Sequence, residues 1–234
     1  MSVFTSLGIL LISALIVASL ELVPGVFAIF HHYASGKYSA RKVDDLSVFF
    51  VLGAETLPAI VFVMFNFVLG SLAFTNLNLS SNIFPMVIAG LLLSLSIVFL
   101  LFYFRKGRNT KLFISRKTAK NFDEKARTVK TRSDAFTLGF IAGIPELVFT
   151  LPLYGSLAIE ISKNFIFPFI CAPLLLIFIL LTISPLFFLC AYFKNNNLAD
   201  FIRLRIKNKS FYRFFIPLLY FLLALLIIIF RTSL

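Results

Sequence analysis

The sequence predicts an all-α polytopic membrane protein, and three observations carry that reading. The chain has 234 residues, of which 60% are hydrophobic and 14% charged. Soluble domains are nearer half apolar and a quarter charged. The mean hydropathy is +0.98. The apolar residues come in continuous runs of about 20, the length that crosses a bilayer as a helix. A membrane barrel would alternate apolar and polar residues, and these runs do not. The composition also excludes a disordered chain, which would be polar and poor in aromatics; this one carries 31 phenylalanines.

Six runs qualify as spans: 7–30, 47–70, 83–104, 136–160, 166–193 and 213–230. The first has no Lys or Arg ahead of it, unlike a cleaved secretory signal, and is expected to be retained. The first, fourth and fifth are long enough to tilt or break.

The basic residues orient these spans. The net charge is +12 and the pI about 10.0. Lys37, Arg41 and Lys42 fall between spans one and two. Eleven Lys and Arg lie from Arg105 to Arg132, and six from Lys194 to Arg213. With six spans these three loops share one side, which collects 20 of the 22 basic residues. The positive-inside rule makes that side cytoplasmic and puts both termini outside. The charge is read as a topology signal with affinity for anionic lipid headgroups. Nucleic acid is not expected as a partner, because no recognition motif accompanies the charge.

The carboxylates partition unevenly. Of five glutamates, Glu21, Glu55, Glu146 and Glu160 lie in or at the ends of spans; Glu124 and all five aspartates lie in loops or at span edges. An ionised carboxylate in hydrocarbon costs about 2.5–3.5 kcal/mol on insertion scales, and no Lys or Arg falls inside an expected span to pair with it. Each such Glu must stay protonated, face water or hold a cation. Glu21 and Glu146, with Glu55, are therefore the candidate transport or cation-binding residues. Glu160 sits near an interface, where it can reach water.

All nine prolines lie in spans or at their ends. A proline inside a helix removes a backbone hydrogen bond, and in lipid the freed carbonyl must be satisfied by protein, water or an ion. Proline and carboxylate coincide twice, in Glu21-Leu22-Val23-Pro24-Gly25 and in Pro145-Glu146-Leu147-Val148, the latter followed by Pro152. Pro24, Gly25, Pro145 and Pro152 are thus expected to break helices one and four. Glu-Leu-Val recurs in the first span of each three-span half. Three spans reverse orientation, so halves 1–115 and 116–234 would form an inverted 3+3 repeat with a site at their interface. The basic stretch at about 105–134 would link them.

His31 and His32 end span one. They are candidates for a proton relay, though a plain interfacial role is favoured. With no further His in the chain, a His-rich metal site is excluded; whether any metal binds is left open. Asp44 and Asp45 are expected to cap the second span's helix. Cys171 and Cys190 stand 19 residues apart on one expected helix, about 28 Å at 1.5 Å per residue, too far for a disulfide.

Six spans in a 3+3 arrangement, basic loops on one side and prolines in spans one and four resemble the lysine-exporter (LysE) superfamily. Within it the chain is most similar to the small six-span branch that includes the DsbD/CcdA transmembrane fold. The stretches around Pro24 and Pro145, and the run Asp134–Gly143, carry the likeness. That branch has a Pro-Cys motif in spans one and four. Here the cysteines are missing and glutamates stand nearby, so the resemblance implies proton- or cation-linked transport rather than electron relay.

The function expected is a secondary transporter or exporter of a small solute or cation in a bacterial or archaeal cytoplasmic membrane. No enzyme activity and no cofactor are expected, and the membrane lipids and the solute are the expected partners. A homo-oligomer is compatible with the sequence. Two alternatives were weighed: a membrane scaffold docking a partner through the basic loop, and a lipid-phosphate enzyme. The second lacks the Arg and hydroxyl cluster that phosphate requires.

Overall fold

A computed structural model describes residues 3–20, 22–74, 79–103, 116–164, 171–193 and 198–232. Among them the regular structure is entirely helical. The order is α1 (Val3–Ser19), α2 (Leu22–Ser35), α3 (Ala40–Phe74), α4 (Leu79–Val98) with a π-helical turn over Phe99–Tyr103, α5 (Arg116–Thr128), α6 (Arg132–Asn164), α7 (Cys171–Phe193) and α8 (Leu198–Thr232).

Four stretches are long and apolar enough to cross a membrane: Ala40–Val68, Ile83–Leu101, Arg132–Ala158 and Leu198–Ile229. The pair Leu7–Ser19 and Leu22–Ser35, bent by 45° at a short break, makes up to five. The protein is thus an integral membrane protein, with four or five such helices among the described residues. The expected span 166–193 overlaps α7, an apolar helix of 23 residues; residues 166–170 lie outside the described set.

The expected breaks divide between the two motifs. Span one is broken: α1 ends at Ser19 and α2 begins at Leu22, with Pro24 and Gly25 in its first turn. Proline is tolerated there because first-turn N–H groups have no partner within the helix. Span four is not broken. Pro145 and Pro152 both lie inside the continuous α6. A neighbouring helix supports the second of them: the Tyr220 hydroxyl on α8 donates to the carbonyl of Phe149 at 3.0 Å. Pro152 leaves the carbonyl of Val148, four residues before it, without an N–H donor, and Phe149 is the next residue, in the same loosened turn.

Helices α3 and α6 run side by side in the same direction. Asp45 pairs with Arg132, Phe50 faces Gly139 and Ala54 faces Gly143, so the two chains advance together. Small residues let them touch backbone to backbone. A β-carbon at Gly139 would collide with the Phe50 carbonyl, and one at Gly53 with the Phe136 carbonyl. At Gly143 it would stand 3.3 Å from the carbonyl of Ala54. That carbonyl is the one Pro58, four residues on, leaves without an N–H donor.

The apolar interior forms two separate cores. The α1 core takes Ile9 to Leu20 of the first span, Ile88 to Phe99, Leu153 to Ala158 and Ile216 to Ile227. The α2 core takes Val23 to Ala34, Val43 to Ala54, Phe122 to Val129, Ala135 to Ala142 and Leu186 to Phe201. Helices α3 (through Phe62), α6 and α8 pass from one core to the other, and the break between α1 and α2 falls between Leu20 of the first core and Val23 of the second.

The basic linker is partly structured. Residues 104–115 lie outside the described set, but α5 packs Phe122 and Ala126 into the α2 core. Tyr33 donates to Asp123 at 3.0 Å, and Arg127 pairs with the same carboxylate at 2.8 Å while lying over the Tyr33 ring. The Asp123 charge raises the Arg127 pKa further above its ordinary value. Asp45 does not cap α3, which starts five residues earlier; it pairs with Arg132 across to α6 at 2.8 Å. The capping falls to Thr131 and Asp134 at the start of α6. Asp134 accepts from the N–H groups of Lys130 and Thr131, and Thr131 accepts from that of Asp134, a capping box.

Candidate functional site

Between the two cores lies a cavity of about 40 Å³. One water needs about 10–15 Å³ by the same measure, so it has room for two or three waters or a small cation. Glu55 of α3 and Glu146 of α6 line it, with Thr150, Tyr154 and Thr182. Pro24, Pro58 and Pro185, each on a different helix, close the rest of its wall. Prolines and carboxylates thus meet in space as well as in sequence.

Glu146 is buried, with 7% of its surface exposed. Its Oε2 accepts a hydrogen bond from the Val23 N–H at 3.2 Å. The reason is local. The first N–H groups of a helix have no partner of their own, Pro24 has none to offer, and the helix dipole favours a negative group at that end. Glu146 therefore caps the broken half of span one from another helix.

Glu55 meets Thr182 of α7. The Thr182 Oγ1 lies 2.9 Å from Glu55 Oε2 and 3.0 Å from the carbonyl of Ile179. A hydroxyl has one hydrogen and two lone pairs. Turned to Glu55, that hydrogen serves an ionised carboxylate. Turned to Ile179, it leaves the oxygen to accept from a neutral carboxyl. Rotation of one hydroxyl thus matches either protonation state of Glu55.

The expected site residues sort as follows. Glu55, Glu146 and Pro24 come together at the cavity. Gly25 is adjacent, in the first turn of α2. Pro145 and Pro152 lie on the same helix as Glu146 without breaking it. Glu21 and the side chain of Glu160 lie outside the described residues. The histidines are not part of the site. His31 stacks on Phe193 at a ring distance of 5.2 Å and lies tilted to Phe27 at 6.0 Å, and His32 is exposed beside Tyr33. His31 is eight residues from Val23, about 12 Å along the helix. No group of three or more His, Cys, Asp or Glu suited to a metal occurs among the described residues.

Two features escaped the sequence reading. Thr182, three residues before Pro185, was hidden in an apolar run. Its placement matches that of Glu55 three residues before Pro58, a signal that comparison of the two halves would have found. Arg205 was assigned to a loop. It lies on the continuous helix α8, and a β-carbon at Gly25 would stand 3.2 Å from its Nη1. A cation therefore does reach the break in span one.

Comparison with known families, with curated proteins and with solved structures finds no match to this chain.

Proposed function

We propose that the chain is a secondary carrier that moves a small solute or cation across the cytoplasmic membrane. Glu55 and Glu146 would take up and release the coupling proton or cation beside the broken first span. One observation carries this reading: two carboxylates from different helices line one small cavity at the break, and one of them caps the half-helix there. Broken spans with ionisable groups at mid-depth are how many carriers build their site.

The proposal includes six spans with both termini outside, and an inverted 3+3 repeat of the lysine-exporter type. The Glu55–Thr182 contact supports the repeat. Both residues stand three before a proline, in the second span of each half. When two-fold-related residues touch, the axis passes between them.

Proton flux into proteoliposomes, read with an internal pH dye under an imposed gradient and a panel of cations, tests the reading. Wild-type protein should carry flux that Glu55→Gln and Glu146→Gln each lower at least tenfold at unchanged expression. Wild-type flux in the double Gln variant would overturn it.

A further inference from the structure

A shallow pocket of about 520 Å³ lies where α3 and α6 begin side by side, far from the carboxylate cavity in both helices. Four cations line it: Arg41 and Lys42 of α3, and Lys130 and Arg132 from the turn that opens α6. Asp45 is the one carboxylate in its wall.

The partners of these groups show which charge is left over. Arg132 donates through Nε to Asp45 at 2.8 Å and lies over the Phe49 ring. Lys42 stands over the Tyr38 ring at 4.1 Å, a contact that brings no counter-charge. Asp134 accepts from the backbone N–H groups of Lys130 and Thr131, and the Lys130 ammonium acts on it only through space. Asp44 does not line the pocket. Among the described residues, neither the Arg41 guanidinium nor the Lys130 ammonium forms an ion pair or a hydrogen bond. Both side chains are exposed. Like charges gathered in this way repel, and an anion between them relieves the repulsion. A guanidinium and an ammonium together suit phosphate oxygens.

The position of the pocket selects the source of that phosphate. Ala40 and Arg132 are the first residues of two stretches long and apolar enough to cross a membrane, so the pocket stands at the level of the lipid headgroups. Past it the surface turns apolar. Arg41, Asp45, Phe49 and Leu52 recur at helical spacing on one face of α3, and Leu52 is 48% exposed. A soluble anion would use only the charged end of this strip, whereas a phospholipid would use both ends.

We propose that this pocket binds one anionic phospholipid, its phosphate held by Arg41 and Lys130 and an acyl chain laid along Phe49 and Leu52. The site differs from the general attraction of basic loops for anionic membranes, because it has a fixed place and named ligands. It stands independently of the carrier reading.

The chain contains no tryptophan, so Leu52→Trp introduces a single fluorescent reporter about 10 Å along the helix from Asp45. The full-length variant is reconstituted in phosphatidylcholine containing either brominated phosphatidylglycerol or brominated phosphatidylcholine, and quenching reads the lipid beside the reporter. Two cations near an anionic headgroup, each worth about fivefold, should give phosphatidylglycerol a preference of about twentyfold. Arg41→Gln and Lys130→Gln should each lower it about fivefold, and together abolish it. The double variant Lys207→Gln/Lys209→Gln removes the same charge from α8, outside the pocket, and should leave the preference within about twofold of its starting value, because screening confines each charge to its surroundings. Val48→Trp, at another exposed position of α3, repeats the reading should Leu52→Trp fail to fold. Equal quenching by the two lipids, or an equal loss in the α8 control, would overturn the proposal. In a second arm sodium glycerol phosphate is titrated calorimetrically into protein in pure phosphatidylcholine. It should bind far more weakly than the lipid. Binding of this soluble phosphate that depends on Arg41 and Lys130, with the two lipids left undistinguished, would overturn the lipid assignment.

Discussion

Glu146 on α6 and the backbone N–H of Val23 on α2, 3.2 Å apart, join two helices whose residues are 123 positions apart in the chain. The bond supplies the first turn of α2 with the acceptor that the break between α1 and α2 denies it. Glu146→Leu leaves a buried N–H without a partner and should cost about 1–3 kcal/mol. Glu146→Gln keeps an oxygen there and should cost less. Detergent unfolding followed by circular dichroism measures both; equal losses would show that the hydrogen bond has no structural weight.

The α3–α6 contact depends on glycine. Gly139→Ala forces a methyl into the Phe50 carbonyl, and backbone cannot yield as a side-chain tip can. The expected loss is about 1–3 kcal/mol, the range for overpacking. Gly90, on α4, has nothing within 4 Å of an added β-carbon. There the same change should be neutral or stabilise by up to about 1 kcal/mol through helix propensity. The pair of variants, compared in one unfolding assay, separates steric contact from propensity.

Tyr220 supports the turn that Pro152 loosens. Tyr220→Phe should cost about 1 kcal/mol, a typical hydrogen bond. In a Pro152→Ala background the neighbouring Val148 carbonyl regains its N–H donor, the turn tightens around Phe149 and the cost should shrink. A double-mutant cycle should give a coupling of about 0.5 kcal/mol or more, and strict additivity would refute the link.

The Asp45–Arg132 pair is a contrasting case. Both side chains are substantially exposed, at 37% and 65%. Exposed ion pairs contribute about 0–1 kcal/mol, so Asp45→Asn should shift the unfolding midpoint little, and less still at high salt. Removing Tyr33's hydroxyl instead should loosen α5 on α2, which then keeps only its packing through Phe122 and Ala126 and the bonds from Lys37 and Tyr38. Limited proteolysis of Tyr33→Phe should then cut the linker faster than in wild type.

Thr182 tests the hydroxyl switch at Glu55. Thr182→Ser keeps the rotating hydrogen and should retain flux. Thr182→Val keeps the shape and removes the hydroxyl, and should lower flux at least tenfold at unchanged expression. Equal flux in the two variants would separate Thr182 from the function of Glu55.

The sequence made the membrane helices legible because hydropathy and length are local properties. It also marked Glu55, Glu146 and Pro24, since a carboxylate or a proline in an apolar run is visible without knowing its neighbours. Which prolines break a helix was not legible. Pro24 follows the break between α1 and α2 and lies in the first turn of α2, whereas Pro145 and Pro152 sit within the continuous α6. Around those two prolines α6 is packed by α3 at Gly139 and Gly143 and by Tyr220 at Phe149, neighbours far away in the chain. Arg205 was misplaced for a related reason. Charge in α8 reads as a loop by composition, while the helix carries on through it. The Gly139-x-x-x-Gly143 spacing was present in the run that carried the family likeness, but its use as a backbone contact depends on which helix lies opposite.

The separation of the interior into an α1 core and an α2 core bears on how such a molecule could move. Because α3, α6 and α8 run through both blocks, the two can move against each other only where those helices bend at the seam, which leaves the packing within each intact. Beside those helices the seam holds a few directional bonds, among them those of Glu146 with Val23 and of Glu55 with Thr182, and these can be broken and remade singly. A fault plane of this kind puts the mechanical compliance of the bundle at the depth where its ionisable groups reside, so that a change of charge there acts on the joint itself.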